Sequence, residues 1–210
     1  SVVYCTYLVN LVLGKKFVFT VRNSPWQVAD GRMPRLIAKT ADAIMLQNRE
    51  QAEFYPESYL KRISIVPNPV AERFQTSRKE DYARQLTKIC AVGRLHPQKN
   101  FPLLMSAVKA LRAKYPQILL QIYGEGEERQ NLEELIAREN LSDVCCLMGR
   151  TSDVDTVLKE TDLFVMSSDY EGMPNALIEA MATGVPCISS DCRTGPRSLI
   201  QEGRTGLLFK

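Results

Sequence analysis

The 210-residue chain has one histidine and one tryptophan, and these shortages exclude several functions at the outset. With a single imidazole, His96, and no Cys-x-x-Cys pair among six cysteines, a zinc site lacks ligands at workable spacing. No apolar run approaches the roughly 20 residues needed to span a bilayer. There is no low-complexity tract and no internal repeat. Net charge is only +3, and no basic stripe is interleaved with aromatics, so nucleic acid is not an expected partner. The excess is uneven. Residues 1–70 hold nine Lys/Arg against five Asp/Glu, or +4, and residues 71–210 hold eighteen against nineteen, or −1. Solvated surface is the simpler account, though such a first third is compatible with peripheral contact on anionic lipid.

A hydrophobic content of 45% is enough for a real core. Cys90, Cys145, Cys146 and Cys187 fall in apolar strand-like runs. They read as small buried hydrophobes in a reducing compartment, which makes a cytoplasmic location, or the inner face of the membrane, the expectation. Ser1 to Leu13 is apolar but short, with no basic leader and no cleavage pattern. The chain starts without Met inside this helix-like run and ends in the strand-like Thr205–Phe209, so it reads as a piece of a longer protein.

A helix is expected over 1–13, stopped by Gly14. Strands follow at 17–21, 43–46 and 63–66, with helices at 32–40 and 47–55, up to a Pro-Asn-Pro turn. Beyond it, strands near 88–93, 118–123, 144–148, 162–167, 185–189 and 206–209 alternate with helices near 100–115, 127–140, 153–161, 174–183 and 194–202. Strict alternation with short strands implies an α/β fold whose parallel sheet is covered on both faces. Ligands of such sheets bind at the carboxyl ends of the strands, near the switch point. Arg94, Gly124, Gly149, Asp169 and Asp191 all follow expected strands, so their loops share one rim.

The most informative stretch is Glu171-Gly172-Met173-Pro174-Asn175-Ala176-Leu177-Ile178-Glu179. Pro174 reads as the first helical residue and Gly184 as the left-handed stop. Apart from Glu179 the helix is apolar nearly all round, and a carboxylate buried there is costly unless paired. Helical side chains lean toward the N-terminus, so Glu179 can reach back along the face it shares with Asn175. Free N–H groups and the dipole make that end an anion site, and Gly172 would let a ligand approach the backbone. A ligand with both a diphosphate and hydroxyl groups would use all of these. A buried helix with one polar residue satisfied by a neighbouring loop remains the plain alternative.

This segment resembles the E-x7-E signature of retaining GT-B glycosyltransferases (family 4, group 1), which include sucrose synthases and many bacterial polysaccharide enzymes. Further matches follow in order. Val66-Pro67-Asn68-Pro69-Val70 looks like the family's interdomain crossing, and Val92-Gly93-Arg94-Leu95 with Lys99-Asn100 like its diphosphate loop. Tyr123-Gly124-Glu125-Gly126 resembles its mid-domain glycine turn and Leu147-Met148-Gly149-Arg150 its base-binding turn. Asp191-Cys192-Arg193-Thr194-Gly195-Pro196-Arg197 is similar to a segment of capsule, O-antigen and glycan-assembly members. The likeness covers about residues 15–210 and is strongest from 64 onward.

The resemblance implies two Rossmann-like units: residues 1–67 as the end of an acceptor-side domain, and 68–210 as a doubly wound donor domain lacking its last helices. It implies a hexose or N-acetylhexosamine transferred, with retention, from a nucleoside diphosphate sugar (UDP preferred) to a saccharide or lipid-linked saccharide acceptor. No metal and no cofactor are expected. Arg94 and Lys99 would neutralise the departing diphosphate, although an isolated pair of this kind reads as two solvated surface cations. Glu171 would face the transferred sugar, and Glu179 would accept from the ribose hydroxyls. The backbone of Gly172, Met173, Pro174 and Asn175 would hold sugar or phosphate oxygens. Gly93 belongs to the phosphate loop, and Gly149 and Arg150 to the base turn. A nucleotide-sugar epimerase shares the fold but usually lacks the E-x7-E frame; a non-catalytic nucleotide-binding fragment is the other alternative. Asp153-Val154-Asp155 imitates a metal-binding D-x-D, but its place after Ser152 fits helix capping. His96 reads as a surface loop histidine, and Gly124-Glu125-Gly126 as a strand-to-helix turn. Arg22-Asn23-Ser24-Pro25 faces the cleft by analogy or is a turn.

Overall fold

The computed structural model describes residues 16–27, 32–75 and 86–210. The expected helix over 1–13, its Gly14 stop and Cys5 lie outside them. The first sheet is parallel, in the order β1 (Val18–Val21), β2 (Ala43–Leu46), β3 (Ile63–Ile65). Helix α1 (Arg32–Thr40) joins the first two strands, and α2 (Arg49–Ala52) follows the second. Val21, Ala38, Ala41, Ile44, Leu46, Phe54 and Tyr55 form its core.

Helix α2 is shorter than the 47–55 expectation, and the reason is local. Asn48 is its N-cap, and its side chain accepts from the Gln51 N–H. Gln51 Oε1 in turn accepts from the Gln47 N–H at 2.7 Å. This reciprocal arrangement stops the helix from starting earlier. At the other end, the N–H groups of Glu53, Phe54 and Tyr55 bond three residues back. Pro56 disfavours helical backbone at Tyr55.

The second sheet has six parallel strands: β4 (Lys88–Val92), β5 (Leu119–Tyr123), β6 (Cys145–Gly149), β7 (Leu163–Met166), β8 (Cys187–Ser190) and β9 (Leu207–Phe209). Their spatial order is β6-β5-β4-β7-β8-β9. The chain winds outward from β4 in one direction and then from β7 in the other, which is the doubly wound arrangement. Helices α3 (Phe101–Arg112), α4 (Arg129–Arg138), α5 (Val154–Glu160), α6 (Asn175–Ala182) and α7 (Pro196–Leu199) connect the strands. One core gathers Ile89, Leu104, Leu120, Ile122 and Leu132, and a second gathers Phe164, Met166, Leu177 and Val185.

Three expectations for this sheet change. Helix α7 occupies four residues instead of 194–202. Gly195, at φ 89°, delays its start, and Thr205 Oγ1 takes the Gln201 N–H beyond its end. Pro174 is the cap of α6, with extended backbone, and not its first helical residue. Helix α6 is half-buried rather than buried all round, with only Leu177 and Ala180 fully enclosed. Gly184 does supply the left-handed stop, at φ 79°.

At the switch point β4 and β7 pair over two positions, Ile89↔Leu163 and Cys90↔Phe164. By contrast β4 and β5 pair over five. The carboxyl ends of β4 and β7 are therefore left unzipped. Segments beyond them are tied again at a distance: the Asp169 N–H donates to Gln98 O, Ser167 Oγ to Lys99 O and Gln98 Nε2 to Tyr170 O. On the other side of β4, Gly93 N–H donates to Tyr123 O and Gly124 N–H to Gly149 O. Gly124 is obligatory there, since a Cβ would lie 1.8 Å from Gly93 O and its φ is 147°. The Tyr123-Gly124-Glu125-Gly126 run is thus the strand-to-helix turn that its sequence indicates.

Among the described residues no helix is long and apolar enough to cross a membrane. Cys90, Cys145, Cys187 and Cys192 are buried and free, whereas Cys146, expected among the buried ones, is half-buried. Burial pushes the Cys90, Cys145 and Cys187 thiols up to about 12, so they pack as small hydrophobes and carry no thiolate.

Candidate functional site

A cleft of about 380 Å³ opens at the carboxyl ends of β4 and β7. From the large sheet it is lined by Val92, Gly93, Arg94, Lys99, Glu171, Met173, Pro174, Asn175, Ala176 and Glu179; from the first sheet and the chain after it come Arg22, Gln47 and Asn68.

Lys99 closes a short 3₁₀ turn, Pro97–Lys99, which brings the chain back over the end of β4. Asn100 follows in the left-handed region at φ 45° and turns the chain into α3. The Lys99 stem lies on Gly93, where a Cβ would sit 3.0 Å from Lys99 Cε. Its Nζ meets Glu171 Oε1 at 2.6 Å, with the two side chains 18% and 8% exposed. Glu171 is fixed through its backbone by the Thr194 hydroxyl, which donates to the Glu171 carbonyl. The two residues assigned separately to phosphate and sugar are therefore ion-paired with each other, which the sequence did not foretell. Arg94 is far more open; its guanidinium is 67% exposed and pairs with Glu127 at 2.9 Å.

Glu179 lies on the cleft side of α6, its carboxylate without a hydrogen-bonding partner among the described residues, and burial raises its pKa from the ordinary value. The charge of Arg73 partly opposes that rise. A partly desolvated carboxylate on the cleft face of a helix is suited to accept from ligand hydroxyl groups.

Gly172 does not serve as expected. A Cβ there would lie 2.4 Å from Arg22 O, so its bareness admits the loop after β1 and not a ligand. Gly172 O accepts from Asn48 Nδ2 at 2.7 Å. Asn68, in the expected crossing, donates through Nδ2 to Met173 O at 3.1 Å and to Asn175 Oδ1 at 2.6 Å. Its Oδ1 accepts from Gln47 Nε2 at 2.6 Å. Gln47, Asn48 and Asn68 thus clasp the loop from Glu171 to Asn175 from the opposite side, and the sequence reading gave none of the three a role there. The signal that could have found two of them is Asn48 three residues before Gln51, a helix-start spacing that places Gln47 and Asn48 outside the helix.

Gly149 and Arg150 stand apart from the cleft lining. β6 is irregular where Tyr123 pairs with Gly149, leaving Met148 45% exposed. Gly149 has φ 76° and backs onto Glu125, which Arg129 holds through two hydrogen bonds of 2.6 and 2.8 Å. His96 is not an unpartnered surface histidine: Nδ1 accepts from the Gln98 N–H at 3.1 Å, and Nε2 lies 3.5 Å from Glu127. Asp153 stands at the cap position of α5, but its side chain makes no capping bond. Its N–H instead donates to Thr151 Oγ1 at 3.0 Å. Among the described residues no group of three or more His, Cys, Asp or Glu is placed to hold a metal ion.

A doubly wound parallel sheet with a cleft at its switch point defines the open α/β class whose ligands bind beyond the carboxyl ends of the strands. Residues 72–210 match the family model described as glycosyl transferases group 1. The chain belongs to that family. It is 34% identical over 205 residues to an uncharacterised glycosyltransferase of Methanocaldococcus jannaschii, covering 88% of this chain and 50% of that protein. It is 32% identical over 185 residues to the Escherichia coli UDP-Gal:alpha-D-GlcNAc-diphosphoundecaprenol alpha-1,3-galactosyltransferase, covering 81% and 48%. Anabaena HepE in complex with UDP and glucose superposes with a TM-score of 0.83 at 16% identity, over 99% of this chain and 61% of that one. That likeness speaks for the GT-B fold. The chain spans about half the length of the curated relatives first matched.

Proposed function

We propose that the parent protein is a retaining glycosyltransferase of the E-x7-E type. It would move a hexose or N-acetylhexosamine from UDP to a hydroxyl of a saccharide or lipid-linked saccharide. In this reading residues 68–210 are the donor domain and residues 1–67 the end of the acceptor-side domain. One observation carries it: Lys99, Glu171, Glu179 and the start of α6 line one cleft at the switch point. Relatives whose names include UDP-sugar donors, the galactosyltransferase above among them, support UDP.

The roles follow from charge and reach. Lys99 is a movable point charge whose ammonium can pass from Glu171 to the leaving phosphate. Arg94, exposed at the rim, adds a bidentate grip. The Asn175 end of α6 contributes its N–H groups and dipole. Together they stabilise charge that develops on the diphosphate as the glycosidic bond breaks, which is where rate is gained. Glu171, freed from Lys99, faces the sugar, and Glu179 accepts from the ribose hydroxyls. Gly149 and Arg150 would meet the base only if it extends past the cleft toward the end of β6.

Calorimetric titration of UDP tests the reading. The chain should bind UDP, Lys99→Ala and Arg94→Ala should weaken it, and Glu179→Ala should weaken UDP more than inorganic pyrophosphate. Three variants that bind like the parent would sink the assignment.

A further inference from the structure

We infer that Gln47 is a donor-sugar contact: its side-chain carbonyl oxygen accepts a hydrogen bond from a hydroxyl of the transferred hexose. The inference rests on the nucleotide-sugar reading above and adds to it a residue from the first sheet.

The orientation of the Gln47 amide is dictated by a chain of bonds that begins across the cleft. Met173 O can only accept, so Asn68 must turn its NH₂ toward it, and the same NH₂ also meets Asn175 Oδ1. That leaves Asn68 Oδ1 as an acceptor, and Gln47 must offer its own NH₂, at 2.6 Å. The Gln47 backbone N–H is already taken by Gln51 Oε1. Gln47 Oε1 is what remains. It is buried and has no hydrogen-bonding partner among the described residues, in a residue only 5% exposed that lines the cleft.

A buried amide oxygen with no donor is rare, because its lost hydration is not returned by the protein. This one cannot be relieved by an amide flip, since a flip would set oxygen against oxygen at Asn68. Gln47 lies between Asn48, bonded to Gly172 O, and Asn68, bonded to Met173 O. Its side chain therefore abuts the loop that begins at Glu171. Gln47 and Glu171 line the same cleft, and a sugar seated there carries hydroxyl donors in quantity.

The test uses this chain with UDP, UDP-glucose, UDP-galactose and UDP-N-acetylglucosamine, followed by deoxyfluoro analogues of the hexose that adds most to UDP. Fluorine keeps the size of a hydroxyl and removes its proton. One fluoro position should weaken binding to the parent chain by roughly tenfold. Gln47→Met should weaken the unmodified UDP-hexose by a similar factor, leave UDP within about twofold, and show no further loss with that fluoro analogue. The assignment is overturned if no fluoro position matters in the parent, or if no hexose adds to UDP. It is also overturned if Gln47→Met weakens UDP and UDP-hexose equally. A hydroxyl belonging to an acceptor sugar would leave UDP-hexose binding untouched by Gln47→Met, which also counts against it. Should the parent bind no UDP at all, the nucleotide-sugar reading itself falls, a result distinct from failure at Gln47 alone. The fluoro series on the parent chain keeps the question answerable even if the variant folds poorly.

Discussion

Along β2 of the first sheet, burial alternates: Ala43 is half-buried, Ile44 buried, Met45 exposed and Leu46 buried. Along β4 of the second, Ile89, Cys90 and Ala91 are buried in succession. Both strands are parallel and flanked by parallel neighbours, so the difference lies in what covers them. The six-stranded sheet has a packed core on each face, and the three-stranded sheet has one core among the described residues. A strand held on both faces can present a charged loop from its end with little freedom. The second sheet accordingly supplies the buried ion pair of the cleft, Lys99 and Glu171, and the first supplies neutral amides, Gln47, Asn48 and Asn68, with Arg22 as its one cation in the lining. Neutral groups are the cheaper ones to place at an edge that meets another unit, because mispairing an amide costs less than stranding a charge.

The largest expected effect sharpens that contrast. Phe164 is fully buried in the second core, and Phe164→Ala should cost about 3–5 kcal/mol in denaturant unfolding. Native-state hydrogen exchange should rank β4 amides among the slowest and β2 amides clearly faster; the opposite ranking would break the comparison. Next in size, Lys99→Ala should reduce UDP affinity by roughly 10- to 100-fold, the range of a charge-assisted hydrogen bond. Arg94→Ala should cost less, because its guanidinium is mostly in water and already paired with Glu127. Equal losses would show that both cations reach the ligand alike.

Glu179 gives a pH signature. Burial raises its pKa, so the folded chain holds that proton more tightly than the unfolded chain. The stability this provides is complete below the unfolded pKa and is lost as pH rises through the folded one. At neutral pH the ionised group costs stability, and Glu179→Gln should raise the melting temperature there, with the gain fading in acid. Nucleoside affinity should move oppositely, falling as pH drops through the raised Glu179 pKa. A smaller effect concerns the seam between the sheets. The Arg193 guanidinium lies 3.8 Å from the centre of the Trp26 ring, and Arg193→Ala should cost about 0.5–1 kcal/mol. Because Trp26 is the only tryptophan, its emission should shift in that variant; unchanged emission would remove the contact.

Much of the large sheet was legible because its strands are short apolar runs and its helices carry clear stops. Gly184 ended α6 where a left-handed residue was called for. Shortfalls came where a local bond outcompeted helical propensity, as at Asn48 and Gln201, or where a left-handed residue intervened, as at Gly195. In the site, Lys99, Glu171 and Glu179 line one cleft; spacing tied Glu179 to the start of its helix, whereas only the family resemblance singled out Lys99. Gly172 was misread because a bare backbone admits a neighbouring loop as readily as a ligand. His96 was misread because its partner Glu127 lies on the far side of β5 in sequence, a separation that spacing rules do not reach.

The order of strands and helices, the glycines that end them and the apolar faces that pair them follow from the residues alone, because each depends on neighbours a few positions away. Which charges meet, Lys99 with Glu171 rather than with solvent, was decided only when β4 and β7 came together over 72 positions of chain. So was the single unpaired oxygen of Gln47, since an amide's direction is set by its last partner, and that partner's own bonds lie across the cleft.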